Sequence, residues 1–203
     1  MDDCICRHPG GLELTEHMIR MAELKSGAKA ADIGCGCGLS LRLMREKYGL
    51  DAVGVEPDAQ TNTLAGCPVY RGTAENLPFD DQALDALLCE CVLSLTDDRT
   101  KALNELSRVI KKDGILMVSD LYSRLDKSTD QSLPTKGDII LQTEAAGFTI
   151  LCLEDHTKAL TEMVVHAIMN DQDIQSLCEK DCQELKRQKC GYYILLAKKA
   201  GDS

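Results

Sequence analysis

The stretch Ala31-Asp32-Ile33-Gly34-Cys35-Gly36-Cys37-Gly38 joins a short apolar run to a helical one. Lys29 to Cys35 reads as a short apolar strand, Ala30-Ala31-Asp32-Ile33, broken by the three glycines before Leu39 to about Lys47 restores a helical pattern. Glycines at such a handover let the chain turn sharply and let a ligand approach the main chain, with helix-start amides pointing outward. The dinucleotide fingerprint requires its third glycine three positions after the second, where this chain has Leu39, so the nicotinamide reading loses its helix-packing residue. One strand further on, Asp51 to Val55 ends at Glu56, eighteen residues past Gly38. That is close to the roughly 20 expected for an acid that accepts hydrogen bonds from ribose hydroxyls.

Outward from this turn, strands alternate with helices. An opening helix over residues 12 to 24 carries Leu12, Met18, Ile19, Met21, Ala22 and Leu24 on one face. Asp58 caps a short helix before Pro68, and Val69-Tyr70 marks a third strand. Leu84 to Leu88 is a fourth strand, Arg99 to Lys111 a helix, and Ile115 to Val118 a fifth strand. A polar loop follows, with residues 122 to 136 as the candidate mobile segment, then a helix near Lys136 to Ala146 and a strand from Phe148 to Leu153. A helical stretch from about Lys158 to Lys186 precedes a last strand, Tyr192 to Ala197. Apolar strands joined by helical crossovers specify the α/β class, a largely parallel sheet covered on both faces.

The 203 residues suit one domain, 1–203, and neither a repeat nor a linker interrupts them. Lys and Arg number 23 against 33 Asp and Glu, a net charge of −10 that repels a phosphate backbone and argues against nucleic acid as partner. No apolar run approaches the roughly 20 residues of a bilayer-spanning helix. The opening Met1-Asp2-Asp3-Cys4 has no signal-peptide pattern, so a cytoplasmic location with no membrane partner is expected. Eleven cysteines, an odd number, fit reduced thiols better than a secreted disulfide framework. With no Trp and two Phe, several of them are expected to serve as small apolar core residues.

The segments Ala31 to Gly38, Val53-Gly54-Val55-Glu56-Pro57, Gly72-Thr73-Ala74-Glu75-Asn76-Leu77-Pro78-Phe79 and Leu84-Asp85-Ala86-Leu87 resemble, in order and spacing, the successive motifs of class I S-adenosylmethionine-dependent methyltransferases. The likeness covers roughly residues 28 to 120 and is nearest to the small-molecule branch of type 11-like enzymes. It implies a Rossmann-like seven-stranded sheet whose last strand is antiparallel. It also implies an N-terminal helical cap over 1–27, a cofactor-binding core over 28–120 and a helical insertion over 157–189, the cap and the insertion roofing the acceptor pocket. The implied cofactor is S-adenosylmethionine. Gly34, Cys35, Gly36 and Gly38 would pass under its methionine part, Asp32 would bind its amino group, and Glu56, followed by Pro57, would hold the ribose. Ala74 and Glu75 would border the adenine, and Cys89 would face the transferring methyl group. Gly54, inside a strand, reads as close packing rather than ligand contact.

Glu90 and Cys91 stand where the family commonly places acceptor-facing residues, and Glu90 is the candidate general base or substrate anchor. His8 is placed to close over the cofactor, and Tyr122 to form a pocket wall. His17, His156 and His166 read as surface residues. Direct displacement at a sulfonium methyl requires alignment and water exclusion but no metal. The acceptor is expected to be a small molecule, since the Asn-Pro-Pro-Tyr motif of nucleobase or glutamine methylation is missing after the fourth strand. Three Cys-x-Cys pairs, 4/6, 35/37 and 89/91, open an alternative: a thiol-dependent methyltransferase of an arsenite-like metalloid, or a non-catalytic metal-binding protein on the same scaffold. Cys178, Cys182 and Cys190 with His166 form a weaker, zinc-like grouping. The sequence assigns neither the acceptor atom nor an oligomeric state.

Overall fold

A computed structural model describes residues 8–59, 67–125, 133–170 and 189–201. Seven strands form one sheet in the order β3-β2-β1-β4-β5-β7-β6. They are β1 (Lys29–Ile33), β2 (Asp51–Glu56), β3 (Val69–Arg71), β4 (Leu84–Glu90), β5 (Ile110–Ser123), β6 (Phe148–Asp155) and β7 (Cys190–Lys199). β3, β2, β1, β4 and β5 pair in parallel, and β7 runs antiparallel to both β5 and β6. The α/β sheet with its antiparallel last strand is thus the expected one. The order turns back between β1 and β4, and a crevice opens at the carboxyl ends of the strands flanking such a reversal.

Helices cover both faces. α1 (Gly11–Met21), α2 (Leu39–Glu46) and α5 (Thr157–Met169) press Met18, Leu41 and Leu160 against Ala86, Leu88, Met117 and Ile194. α3 (Arg99–Val109) and α4 (Lys136–Ala145) press Leu103, Leu106 and Ile139 against Leu87, Leu116, Val118 and Leu195 on the other side. β4 is buried almost throughout because it lies mid-sheet between two helical layers. Its even and odd positions serve opposite cores, as the two-residue period of a strand requires. Asp98 accepts from the Lys101 amide to cap α3, and Thr135 with Asp138 forms a capping box on α4.

Element boundaries differ most in β5, which was expected over 115 to 118 and runs from Ile110 to Ser123. The ten residues of β7 pair with it as far as Ser123 opposite Cys190, so Tyr122 and Ser123 belong to a strand rather than to the loop after one. α5 begins where the helical insertion was expected, and 171–188 lie outside the described residues. So do 60–66, where the short helix after Asp58 was expected, and 126–132 within the candidate mobile loop.

Candidate active site

A cavity of about 610 Å³ opens over the carboxyl ends of β1, β2 and β4, within the size range of small-molecule and cofactor sites. Of the residues assigned from sequence, Gly34, Gly36, Glu56, Pro57, Ala74, Glu75, Glu90 and Cys91 line it.

The glycine turn is built by left-handed backbone. Gly34, Gly36 and Gly38 have φ of 71°, 49° and 78°, values that side-chain-bearing residues rarely adopt. The amides of Gly34 and Cys35 both donate to the Val55 carbonyl, at 2.8 and 3.1 Å, which fastens the turn to β2. A Cβ on Gly36 would meet nothing within 4 Å, so main chain lies open to the cavity there. The Gly36 amide donates to Glu56 Oε2 at 2.9 Å and holds that carboxylate at the rim. Gly54 is a packing residue, as expected: a Cβ there would stand 2.6 Å from Cys35 Sγ.

Beneath the turn lies Asp32, only 3 % exposed, with no hydrogen-bond partner for its Oδ2. Burial drives its pKa well above the ordinary carboxylate range, and Glu90 and Glu56 add repulsion, against which only the Leu41 amide works. An orphaned buried carboxyl oxygen is costly and calls for a donor. Asp32 does not line the cavity itself, whereas Ile33 and Gly34, next in the chain, do.

Glu90 shows how tertiary structure fills in a site. Thr15 Oγ1 donates to both carboxylate oxygens, at 3.0 and 3.1 Å, and Ser40 Oγ donates to Oε2 at 2.9 Å. Ser119 Oγ approaches Oε1 at 3.4 Å and His8 Nε2 lies 3.4 Å from Oε2. Burial still outweighs these contacts and raises the Glu90 pKa. His8, expected near the cofactor, thus turns to Glu90 and Thr15, while its neighbour Pro9 lines the cavity. Cys91 takes a left-handed conformation, φ 56°, held by its amide on the Ser119 carbonyl at 2.7 Å. Its thiol lies 3.3 Å from the Tyr192 hydroxyl, which donates to Ser119 at 2.8 Å. A hydrogen-bonded chain therefore runs from Cys91 through Tyr192 and Ser119 to Glu90.

Three expected cofactor contacts are displaced. Cys89 does not face the cavity; it is fully buried in the core on the α3 and α4 side, because the strand period that turns Glu90 toward the site turns its neighbour away. The Cys35 side chain packs under the turn against the Gly54 position, and Gly38 is consumed as the N-cap of α2. Tyr122 donates to Asp155 and packs edge-on to Tyr193, away from the cavity. Thr73, Ser94, Leu95, Thr96 and Asp97 do line it. Sequence reasoning passed over them, although the Ser94-to-Asp97 loop directly follows Glu90 and Cys91.

Among the described residues, the cysteines do not converge as soft-metal ligands. Burial pushes Cys35 up to about 12 and Cys89 well above the usual thiol range, so both stay protonated and poorly nucleophilic. Cys35, Cys67, Cys89 and Cys152 are free thiols, as expected, whereas Cys37 is disulfide-bonded. Nothing here supports the metalloid alternative or the non-catalytic metal-binding one. Cys4, Cys6, Cys178 and Cys182 lie outside the described residues.

Residues 31–118 match the family model of the methyltransferase domain. The likeness to methyltransferases lies in this segment, which holds the glycine turn, Glu56 and Glu90. Among curated relatives, the chain is 31% identical over 124 residues to an uncharacterized methyltransferase, YcgJ, of Bacillus subtilis, covering 56% of this chain and 49% of that protein. It is 31% identical over 143 residues to the ubiquinone/menaquinone biosynthesis C-methyltransferase UbiE of Campylobacter jejuni, covering 61% of each. The chain thus spans about half to three-fifths of the length of these relatives. In fold it is similar to the [4+2]-cyclase SpnF, with a TM-score of 0.77, 23% identity, and coverage of 94% of this chain and 82% of that one. That neighbour's name also shows that this fold is not tied to one reaction.

Proposed function

We propose that this chain transfers a methyl group from S-adenosylmethionine to a small, largely apolar acceptor. The observation that carries this reading is the unpartnered buried Oδ2 of Asp32 beneath an open glycine turn whose far side is held by Glu56. Such a site suits a ligand with a cationic amino group at one end and a sugar diol at the other. Asp32 would take the amino group, Gly34 and Gly36 would let the methionine part lie against main chain, Glu56 would hold the ribose hydroxyls, and Ala74 and Glu75 would border the base. Asp32 would thereby gain the donor it lacks, and a nearby positive charge would favour its ionised form.

When bound, the cofactor would supply a methyl group on a sulfonium sulfur, which the acceptor's nucleophilic atom would take as the neutral thioether leaves with the bonding pair. The chain's own contribution is alignment and exclusion of water. Val92, Leu121, Leu160 and Met163 give the cavity an apolar side for the acceptor, next to Glu90 and Cys91. Because burial raises its pKa, the Glu90 carboxylate is a stronger base than a solvated one and is suited to take the proton the acceptor gives up. The Cys91–Tyr192–Ser119 chain offers a second route for that proton to Glu90. The UbiE relative is named for C-methylation in ubiquinone/menaquinone biosynthesis, and an apolar wall would suit an acceptor of that class here.

Calorimetric titration with S-adenosylhomocysteine tests the reading. Wild type should bind one equivalent, and Glu56→Ala should lose at least about tenfold in affinity, the value of one or two charge-assisted hydrogen bonds. Equal affinity in both proteins, or binding of NADH instead, would overturn it.

A further inference from the structure

One polar cluster lies apart from the cavity. β6 is the edge strand, and the two-residue period along it sets Cys152 and Glu154 on the face that α1 covers, with His156 next in the same alternation. His17 reaches this cluster from α1. Glu154 Oε2 receives His156 Nε2 at 2.9 Å and His17 Nε2 at 3.5 Å, while the Cys152 thiol donates to the other oxygen, Oε1, at 3.2 Å. The imidazole rings stand 6.1 Å apart and tilted by 50°, so they do not stack. His156 occupies the N-cap position of α5, yet its side chain does not cap; Asp155 Oδ1 accepts from the Thr157 amide instead. The imidazole is thus left for Glu154. One ligand atom from each of His17, Glu154 and His156 falls within 4.8 Å of the other two.

We propose that His17, Glu154 and His156 bind a borderline divalent first-row cation of the Zn2+ class and so clip α1 to the β6–α5 junction. Zinc bonds of about 2.0–2.2 Å to nitrogen and oxygen place neighbouring tetrahedral ligands about 3.4 Å apart, so the observed spacings need only small rotamer changes to close on an ion. Two imidazoles and a carboxylate suit zinc, cobalt, nickel or copper and disfavour magnesium and calcium, which require more oxygen ligands. The half-exposed side chains leave a fourth position for water, and the Cys152 thiol orients the carboxylate from behind. The ion would replace hydrogen bonds between mobile side chains with fixed ones. Because α1 follows Pro9 and α5 carries Leu160 and Met163, all cavity-lining residues, the clip would fasten the roof of the cavity. The inference does not depend on the cofactor reading.

The test uses the untagged chain, with Zn2+ in calorimetry, Co2+ in absorption spectroscopy, and thermal melting with and without each ion. Wild type should bind an equivalent that His17→Gln and Glu154→Gln each weaken by about 10- to 100-fold, since even outer ligands of metal sites are worth that much. Wild type should also melt higher with Zn2+, the shift should vanish in both variants, and excess Mg2+ should not compete. His17 sits on the flank of α1, so His17→Gln should melt like wild type without metal, which separates ligand loss from misfolding. Zn2+ binding unchanged in both variants, or a cobalt spectrum dominated by thiolate charge transfer, would place the ion on cysteines and overturn the proposal. So would no binding at all.

Discussion

Asp32 carries the sharpest conflict between stability and function in the molecule. Its carboxyl is buried beside Glu90 with one oxygen unpartnered. A carboxyl whose folded pKa is raised binds more protons folded than unfolded, so its contribution to stability is present below the ordinary carboxylate range and is lost as pH rises through the raised pKa. Asp32→Asn removes the ionisation. At pH 8 it should raise Tm by roughly 2–4 °C, the shift expected for about 1 kcal/mol in a chain of this length. The gap to wild type should close only as pH falls through the raised pKa to the ordinary carboxylate value of about 4, and the variant should bind S-adenosylhomocysteine more weakly than wild type. Thermal melts from pH 4 to 8 check this; a variant that melts below wild type at pH 8 would show that the carboxylate stabilises the fold instead. The trade is the familiar one between a comfortable core and a site kept ready for a ligand.

At the scale of the element, α1 is held to the sheet by apolar contact and by polar anchors, the exposed His17–Glu154 contact and the buried hydroxyl of Thr15. Met18 and Ile19 are buried against the β4 and β7 face, and Thr15, wholly buried, bonds both oxygens of Glu90. Replacing Thr15 with valine keeps the shape and removes the donor. A buried carboxylate then loses two contacts, at a cost of about 1–3 kcal/mol. Amide hydrogen exchange should report faster opening of α1, with a smaller change in the central strands, because the lost anchor belongs to that helix. Thr15→Ser should restore most of the protection. If valine and serine behave alike, the Thr15 hydroxyl does not hold the helix.

Over the whole molecule, Arg99 ties elements far apart in sequence. From the start of α3 its guanidinium donates to Gln142 Oε1 on α4 and to the Tyr193 hydroxyl on β7, both at 2.9 Å, and its charge eases the burial of Asp120 on β5. Arg99→Met preserves much of the stem's packing but removes both bonds and leaves Asp120 without its nearest cation. The loss of about 2–3 kcal/mol should lower Tm by roughly 5–10 °C. Its effect on cofactor affinity should be small, because Arg99 does not line the cavity. A melt unchanged from wild type would mean that these bonds only replace hydration.

Local chemistry along the chain specified the α/β class, the glycine turn and the acid on the next strand, because strand period, glycine conformation and the spacing of one crossover are all short-range properties. Gly34, Gly36 and Glu56 were legible for that reason, and Gly54 was legible as packing. Tertiary structure alone decided which neighbour on β4 faces the cavity, turning Glu90 in and Cys89 away. It also gathered Thr15, Ser40, Ser119 and Tyr192 from four separate elements around one carboxylate, and drew His17 to His156 across more than half the chain. Such meetings depend on sheet order and on the docking of helices, which no window of sequence contains.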